Sequence, residues 1–240
     1  MRIETLRVAR LALSTALVLT ATAIVNVYVP ATRGYFNLGE TMIYLTALLF
    51  DPLTAAFAGG VGSALADVIL GYSIYAPATL LIKSAEGAAA SFLVRKFRKW
   101  KASQKVIFAL SLITVALYFM ILLAIGYTLF VGEVEFSLTG LATLKGFLTP
   151  SSWMLLAILA TATPFYHLIR QRGEIGLIIV ALLLAGGIMI SGYFLYEQVV
   201  LGYYALAEVP VNFGQVILGI AVAIPIYSIL KRYQKTSENS

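Results

Sequence analysis

The sequence predicts an all-α integral membrane protein with about eight membrane-spanning helices. Sixty percent of its 240 residues are hydrophobic, and the mean hydropathy is +0.92. Charged residues account for 12%, about half of the roughly 25% that is usual in soluble domains. One soluble core of this length cannot bury so much apolar side chain. A membrane fold is therefore expected, with residues 1–240 as a single transmembrane domain.

Eight apolar stretches are candidate crossings, because about 20 apolar residues cover the hydrocarbon core of a bilayer. The first has a basic flank like that of a signal peptide, but its apolar run is too long, so we expect a retained helix. The second is short for a full crossing. Residues 137–149 are expected to form a surface helix or part of a long sixth segment, and residues 232–240 a cytoplasmic tail. The eight stretches are 8–28, 37–51, 53–72, 76–94, 105–131, 150–169, 175–196 and 209–230.

The basic residues predict the orientation. With eight crossings and a cytoplasmic N-terminus, 14 of the 17 Lys and Arg residues fall on the cytoplasmic side, as the positive-inside rule requires. Both termini are therefore predicted to be cytoplasmic. The net charge of +6 then reflects orientation and contact with anionic lipid, and we expect no nucleic-acid partner. Zero cysteines and one histidine leave no thiolate or histidine-cluster metal site, so no metal or other cofactor is expected.

Three ionisable residues fall inside predicted spans, where charged groups are costly and usually functional. Asp67 lies near the outer end of the third helix, Lys83 about 10 Å into the fourth, and Glu86 one turn deeper on the same face. One interpretation is an ion-pair network that holds the third and fourth helices together. Another is that Lys83, with Asp67 as its partner, binds a polar ligand from outside. A proton relay fits less well, because no further acid or histidine continues a path.

A second set of polar and aromatic residues is predicted near the outer rim. Proline in Asp51-Pro52, Ala76-Pro77, Thr149-Pro150 and Val209-Pro210 marks helix starts. In the predicted orientation helices two, four, six and eight begin outside, where their N-termini could together surround a pocket. The alternatives are an interfacial aromatic belt for the tyrosines, a capping box for Asn37 and Glu40, and an interhelical hydrogen bond for Asn212 and Gln215. The rim set is Arg33, Tyr35, Asn37, Glu40, Tyr72, Tyr75, Tyr193, Tyr196, Glu197, Asn212 and Gln215.

Small residues recur every three or four positions on the first helix, at Ala9, Ala12 and Ala16. Such a stripe lets another helix approach closely, either within the bundle or from a partner protein. The sequence contains no P-loop, no His-Glu-x-x-His and no Gly-x-Ser-x-Gly motif. A polar site without an energy source of its own indicates a binding subunit.

Three stretches resemble the substrate-binding S components of energy-coupling factor (ECF) transporters. The first begins the second helix, the second spans the third and fourth helices, and the last covers the final helix. The resemblance, which reaches about 70% of the chain, is closest to the branch linked to riboflavin and to pyrimidine or pyridoxine-like precursors. The stretches are YFNLGETMI at 35–43, AGGVGSALADVILGYSIYAPATLLIKSAEG at 58–87 and EVPVNFGQVILGIAVAIPIY at 208–227.

This resemblance implies a six-helix bundle that captures a vitamin from outside. It also implies docking, through the alanine-rich face with Ala9, Ala12 and Ala16, onto a transmembrane coupling subunit driven by two ATPases. The predicted binding residues are Arg33, Tyr35, Asn37, Glu40, Asp67, Tyr75, Lys83, Glu86, Tyr193, Asn212 and Gln215.

The chain departs from the family by an apparent extra helix pair at about 103–170. Two other classes remain open on the residues alone. An intramembrane enzyme would use Asp67, Lys83 and Glu86 to turn over a substrate. A stand-alone secondary transporter would need no partner, but the sequence shows no repeat symmetry of the kind common in that class.

Overall fold

The described part of the chain forms eight α-helices and one small antiparallel sheet. These features come from a computed structural model that describes residues 2–29, 34–100, 103–138, 142–170, 174–200, 202 and 205–238. The elements in chain order are α1 (Arg2–Ile24), β1 (Val25–Val29), β2 (Gly34–Asn37), α2 (Gly39–Leu49), α3 (Pro52–Leu70), α4 (Ala76–Arg98), α5 (Gln104–Ile125), a π-helical turn (Gly126–Phe130), β3 (Gly132–Leu138), β4 (Ala142–Leu148), α6 (Pro150–Arg170), α7 (Glu174–Val200) and α8 (Ala205–Glu238).

Each predicted apolar stretch contains one of these helices, so the predominantly helical class is confirmed. Both boundaries of α8 differ from the predicted 209–230, because this helix begins at Ala205 and ends at Glu238. The sequence predicts Pro210 near the start of this helix, but Pro210 lies in its second turn. The polar tail expected from residue 232 continues α8 as far as Glu238. By contrast, Asp51 does cap α3, with its side chain accepting from the N–H groups of Leu53 and Thr54, as expected before a proline.

Five helices in the described residues are long and apolar enough to cross a membrane. α2, with 11 residues, is too short to do so alone. The chain is a multi-pass membrane protein, and eight crossings with both termini cytoplasmic stay a prediction. The five spans are Glu4–Ile24, Pro52–Leu70, Lys105–Thr128, Ile175–Val200 and Val211–Tyr233.

Small residues allow the helices to pack at close range. A Cβ added to Gly87 of α4 would lie 2.4 Å from the backbone oxygen of Ala55 in α3. A Cβ added to Gly219 of α8 would lie 2.5 Å from the Cβ of Glu40 in α2. Both positions must therefore be glycine for the backbones to approach this closely. Buried side chains such as Leu182 of α7 join these helices in one hydrophobic core.

The four-stranded sheet corrects the all-α prediction. Its strand order is β2-β1-β3-β4, all antiparallel. Strand β4 occupies most of residues 137–149, which we had expected to be helical. The signal was present in β3, whose sequence GEVEFSL alternates polar and apolar residues with the period of two that is typical of a strand. The sheet joins the hairpin after α1 to the hairpin after α5, at the end of the bundle where α2 and α4 begin.

Candidate functional site

A polar cavity opens at the sheet end of the helix bundle. Its lining residues bound a space of about 650 Å³, part of which is open to the solvent. Helices α1, α2, α3, α4, α7 and α8 contribute to its walls together with β2, whereas α6 contributes no residue to the described lining. The lining residues are Thr22, Tyr35, Asn37, Gly39, Glu40, Ser63, Asp67, Tyr72, Tyr75, Thr79, Lys83, Tyr193, Glu197, Glu208, Asn212 and Gln215.

Helical periodicity explains why these residues face one space. Side chains three or four positions apart share one face of a helix. Each of four helices presents such a polar stripe to the cavity. The stripes are Ser63 and Asp67 on α3, Thr79 and Lys83 on α4, Tyr193 and Glu197 on α7, and Glu208, Asn212 and Gln215 on α8.

The floor of the cavity is an ion-pair network, defined here as Glu40, Tyr44, Lys83 and Glu86. The Nζ of Lys83 donates to the Oε1 of Glu40 and, at 3.2 Å, to the Oε2 of Glu86. The hydroxyl of Tyr44 donates to the Oε1 of Glu86 at 2.8 Å. No member exposes more than 5% of its surface. A charge so deeply buried is tolerated only when it is paired, so the network is needed for these residues to sit here.

This network corrects the expected partner of Lys83. The carboxylates that pair with Lys83 belong to Glu40 and Glu86, and not to Asp67. The network consequently joins α2 to α4, whereas the sequence suggested that it would join α3 to α4. The predicted capping box is corrected too, because Glu40 is directed toward Lys83 while Leu38 is the N-cap of α2.

Asp67 instead forms a second polar group on the wall. The hydroxyl of Tyr35 donates to its Oδ1 at 2.8 Å. Burial raises the pKa of Tyr35, and the negative charge of Asp67 raises it further, so this phenol remains a donor. Nearby, the Tyr193 hydroxyl donates to Thr79 Oγ1 at 2.9 Å, and Lys83 Nζ lies 5.5 Å from the centre of the Tyr193 ring, within cation–π range.

The β1–β2 hairpin is tied to α8 by amide groups. The Nδ2 of Asn37 donates to the Oε1 of Gln215 at 3.4 Å, and the Nε2 of Gln215 donates to the Tyr35 carbonyl at 3.3 Å. The Oδ1 of Asn37 also accepts from the N–H of Gly39 at 2.8 Å. Asn37 therefore accepts from the first N–H of α2 and also lines the cavity.

The mouth of the cavity, defined here as Tyr72, Tyr75, Glu197 and Glu208, is aromatic and acidic. The Tyr72 ring lies against that of Tyr35, with centroids 4.8 Å apart. Burial, followed by the negative charges of Glu197 and Glu208, raises the pKa of Tyr75 to about 12. Both carboxylates are buried, with 4% and 6% of the residue exposed.

Several polar atoms of the lining make no hydrogen bond within the described part of the chain. Leaving such an atom unpaired in a buried place costs about 1–3 kcal/mol. A cluster of them around one cavity is the pattern expected of a site that binds a polar ligand. The atoms are Glu40 Oε2, Asp67 Oδ2, Glu197 Oε2 and Asn212 Nδ2.

Most of the binding residues predicted from the sequence line this cavity. Glu86 lies behind the lining as a partner of Lys83, and Arg33 lies outside the described residues. Those that line it are Tyr35, Asn37, Glu40, Asp67, Tyr75, Lys83, Tyr193, Asn212 and Gln215.

Seven further lining residues were not among the predicted binding residues. Tyr72 and Glu197 had been placed at the rim without being assigned to the site. Ser63, Thr79 and Glu208 lie four residues from Asp67, Lys83 and Asn212, so extending each stripe by one turn would have found them. Thr22 and Gly39 complete the set, and nothing in the sequence singled them out.

The alanine stripe of α1 faces away from the bundle. Ala9, Ala12 and Ala16 are exposed, whereas Val18 and Thr22 of the same helix are buried. Intramolecular packing therefore does not account for these three alanines.

A multi-pass helical bundle with a polar cavity at one end is the architecture of a membrane-embedded binding protein. The chain belongs to the family described as ECF-type riboflavin transporter, S component, whose model matches residues 2–146, more than half of the chain. The stretches 35–43 and 58–87 lie within this match, and 208–227 lies beyond it. The family is a transporter component for vitamin uptake and not an enzyme.

One relative comes from Pyrococcus woesei and is described as "Uncharacterized protein in gap 3'region". It is 56% identical over 70 residues, which are 29% of this chain and 47% of that protein. The aligned part thus spans about half the length of the relative. This likeness shows that a similar sequence occurs in another protein, and the description of that protein names no function.

Proposed function

We propose that this chain is the high-affinity substrate-binding subunit of an ECF importer for a vitamin or vitamin precursor. The supporting observation is the cavity itself, because inward polar stripes on four helices and four unpartnered polar atoms surround one space of about 650 Å³. The ligand classes in question are riboflavin, hydroxymethylpyrimidine as a thiamine precursor, and a pyridoxine-like compound. Tyr35 and Tyr72 would stack on a ring, and the amides and carboxylates would bind its polar edge.

The decisive experiment is to release and identify the small molecules carried by the detergent-purified protein. Mass spectrometry with an absorbance spectrum distinguishes a flavin from a pyrimidine or a pyridine. A stoichiometric vitamin supports the proposal. If no ligand is carried, titration with all three compounds decides, and failure to bind any of them contradicts the proposal.

The coupling subunit and its ATPases are proposed to dock on the exposed alanine stripe of α1. Ala12→Leu or Ala16→Leu would place a bulky side chain where a helix must approach closely. We expect normal vitamin binding but loss of co-purification with the coupling subunit. Ala109→Leu on α5, at another exposed alanine, is the matched control. Normal assembly of both α1 variants would contradict this docking surface.

The cavity is proposed to open to the outside, with both termini in the cytoplasm. Because the chain has no cysteine, single cysteines report directly on sidedness. Glu133→Cys, exposed at the sheet end, should react with an impermeant maleimide in whole cells. Lys99→Cys, exposed after α4, should react only after lysis. The reverse pattern would invert the proposed orientation.

The intramembrane enzyme is less well supported, because Lys83 and Glu86 pair with each other rather than surround a free reaction space. It predicts turnover of the bound molecule by the purified chain. The stand-alone transporter predicts uptake into vesicles without partner proteins or ATP.

A further inference from the structure

The wall of the cavity holds a buried carboxylate that the described residues satisfy only in part. Asp67 of α3 lines the cavity and exposes 5% of its surface. Its Oδ1 accepts from the hydroxyl of Tyr35 at 2.8 Å, whereas its Oδ2 has no hydrogen bond within the described part of the chain. Because an unpaired polar atom is costly in a buried place, a ligand atom that bonds to Oδ2 gains affinity.

The side chains around Asp67 determine which kind of atom this oxygen can bind. Two hydroxyl groups, those of Tyr35 and Thr79, interact with its carboxyl group. Tyr35 keeps its proton, because burial and then the charge of Asp67 raise the pKa of this phenol. The oxygen of Thr79 accepts from Tyr193 at 2.9 Å, which leaves the hydrogen of Thr79 for Asp67.

Such a set of donors suits an ionised carboxylate. An ionised carboxylate only accepts hydrogen bonds, and its two oxygens have about four acceptor positions. The two hydroxyl groups occupy at most two of these positions. Asp67 therefore still presents an acceptor, and no donor, to the cavity.

The aromatic side chains indicate which part of a ligand meets this acceptor. Tyr35 reaches Asp67 through the hydroxyl at the edge of its ring, and the Tyr72 ring lies beside it with centroids 4.8 Å apart. A flat ring that stacks on Tyr35 extends in the same direction, so its edge reaches the same carboxylate. An N–H or O–H group at this edge can donate to Oδ2. A carbonyl oxygen there would set lone pairs against lone pairs.

We propose that Asp67 is a specificity-determining residue that selects ligands with a hydrogen-bond donor at the edge of the ring. The inference rests on the proposed function and adds to it the feature of the ligand that the wall recognises. Each ligand class in question carries such a donor. The donors are the imide N–H of riboflavin, the amino group of hydroxymethylpyrimidine and the phenolic hydroxyl of pyridoxine.

The test compares a vitamin with an analogue in which methylation has removed the ring-edge donor. Riboflavin and 3-methylriboflavin are the first pair of probes. Hydroxymethylpyrimidine with its dimethylamino form, and pyridoxine with its phenolic methyl ether, follow if the wild type does not bind riboflavin. We expect the wild type to bind the vitamin roughly 10- to 100-fold more tightly than the analogue, as for a hydrogen bond to a charged group.

Asp67→Asn should remove this preference, because it replaces the free acceptor by a donor. The amide oxygen of the new side chain must accept from Tyr35, so its NH₂ group, which only donates, is left for the ligand. Affinity for the vitamin should fall by about 10-fold or more, and affinity for the methylated analogue should not fall. The bulk of the methyl group is the same for both proteins, so the change in the affinity ratio reports the hydrogen bond.

Asp51→Asn is the matched control, since it makes the same substitution at the exposed N-cap of α3, outside the cavity lining. It should keep the wild-type ratio. If Asp67→Asn does not fold, Asp67→Ala replaces it, because alanine also removes the acceptor. Equal wild-type binding of vitamin and methylated analogue, or an unchanged ratio in a folded Asp67 variant, would overturn the role of Asp67 and leave the proposed function intact. Failure of the wild type to bind any of the three vitamins would overturn the proposed function and this inference with it.

Discussion

The floor and the mouth of the cavity both bury carboxylates, but they stabilise them differently. At the floor, Glu40 and Glu86 share the ammonium of Lys83, and Tyr44 adds a hydrogen bond. At the mouth, Glu197 and Glu208 lie near each other, and the Oε2 of Glu197 has no hydrogen bond in the described structure. The floor is therefore largely completed by the protein. The mouth differs in that a carboxylate oxygen of Glu197 is left for a ligand to satisfy.

This comparison separates two kinds of polar residue in a membrane bundle. A paired buried charge fixes how two helices pack, and removing one partner costs stability. An unpaired buried group stores an unmet interaction that a ligand can satisfy. Substitutions at the floor should therefore act first on folding, and substitutions at the mouth should act first on binding.

The largest effect is expected for Lys83→Ala. It leaves Glu40 and Glu86 buried without their cation, and breaking a buried pair in this way costs about 3–5 kcal/mol. Thermal unfolding in detergent should show the loss, and vitamin binding should weaken strongly. Lys105→Ala, at an exposed position, is the control. If Lys83→Ala is as stable as the wild type, the floor is not a structural ion pair and does not differ from the mouth in this way.

Tyr44→Phe tests the floor without touching the cavity lining. It removes the hydroxyl that donates to Glu86 at 2.8 Å, which should lower the free energy of unfolding by about 1–3 kcal/mol. Vitamin affinity should change little, because Tyr44 does not line the cavity. Tyr233→Phe, whose side chain is exposed, should change neither quantity. A large loss of affinity with normal stability would reverse the roles assigned to floor and wall.

Glu197→Gln should act in the opposite direction on stability. Replacing one of two neighbouring buried carboxylates by an amide removes repulsion, so the ligand-free protein should unfold at the same temperature or be stabilised by about 1 kcal/mol. Thermal unfolding without vitamin measures this. Destabilisation beyond about 1 kcal/mol would show that the mouth, like the floor, holds the fold together.

The smallest effect is expected for Asp51→Ala, far from both carboxylate groups. Burial tends to raise the pKa of Asp51. Hydrogen bonds from Thr54 and from backbone N–H groups outweigh this effect and lower the pKa below its ordinary value of 3.8. Its capping contribution of about 1 kcal/mol should be present above pH 4 and be lost as the pH falls through the lowered pKa.

The stability difference between wild type and Asp51→Ala should consequently vanish in acid. Asp51→Asn keeps the side-chain acceptor and should show no such pH dependence. A difference that persists unchanged at pH 2 would show that the charge of Asp51 is irrelevant.

Sequence reasoning found the helices and much of the cavity because both follow simple rules. Apolar length marks the spans, and isolated charges such as Lys83 stand out within them. It assigned the wrong partner to Lys83, because the register of α2 against α4 is set by packing that one sequence does not reveal. It left Glu208 out of the last helix because Pro210 suggested a later start for α8. The strands were missed because segments of four to seven residues carry little periodic signal beside long helices.

The sheet at the open end of the bundle also sets an order for biosynthesis. Asn26 of β1 pairs with Ser137 of β3, so more than a hundred residues separate the two partners. Contacts this distant in sequence form late, since the intervening chain must first be placed. The pairing of β1 with β3 therefore forms only after α2 to α5 have left the ribosome. A chain truncated before β3 should be inserted in the membrane with its first hairpin lacking its neighbouring strand.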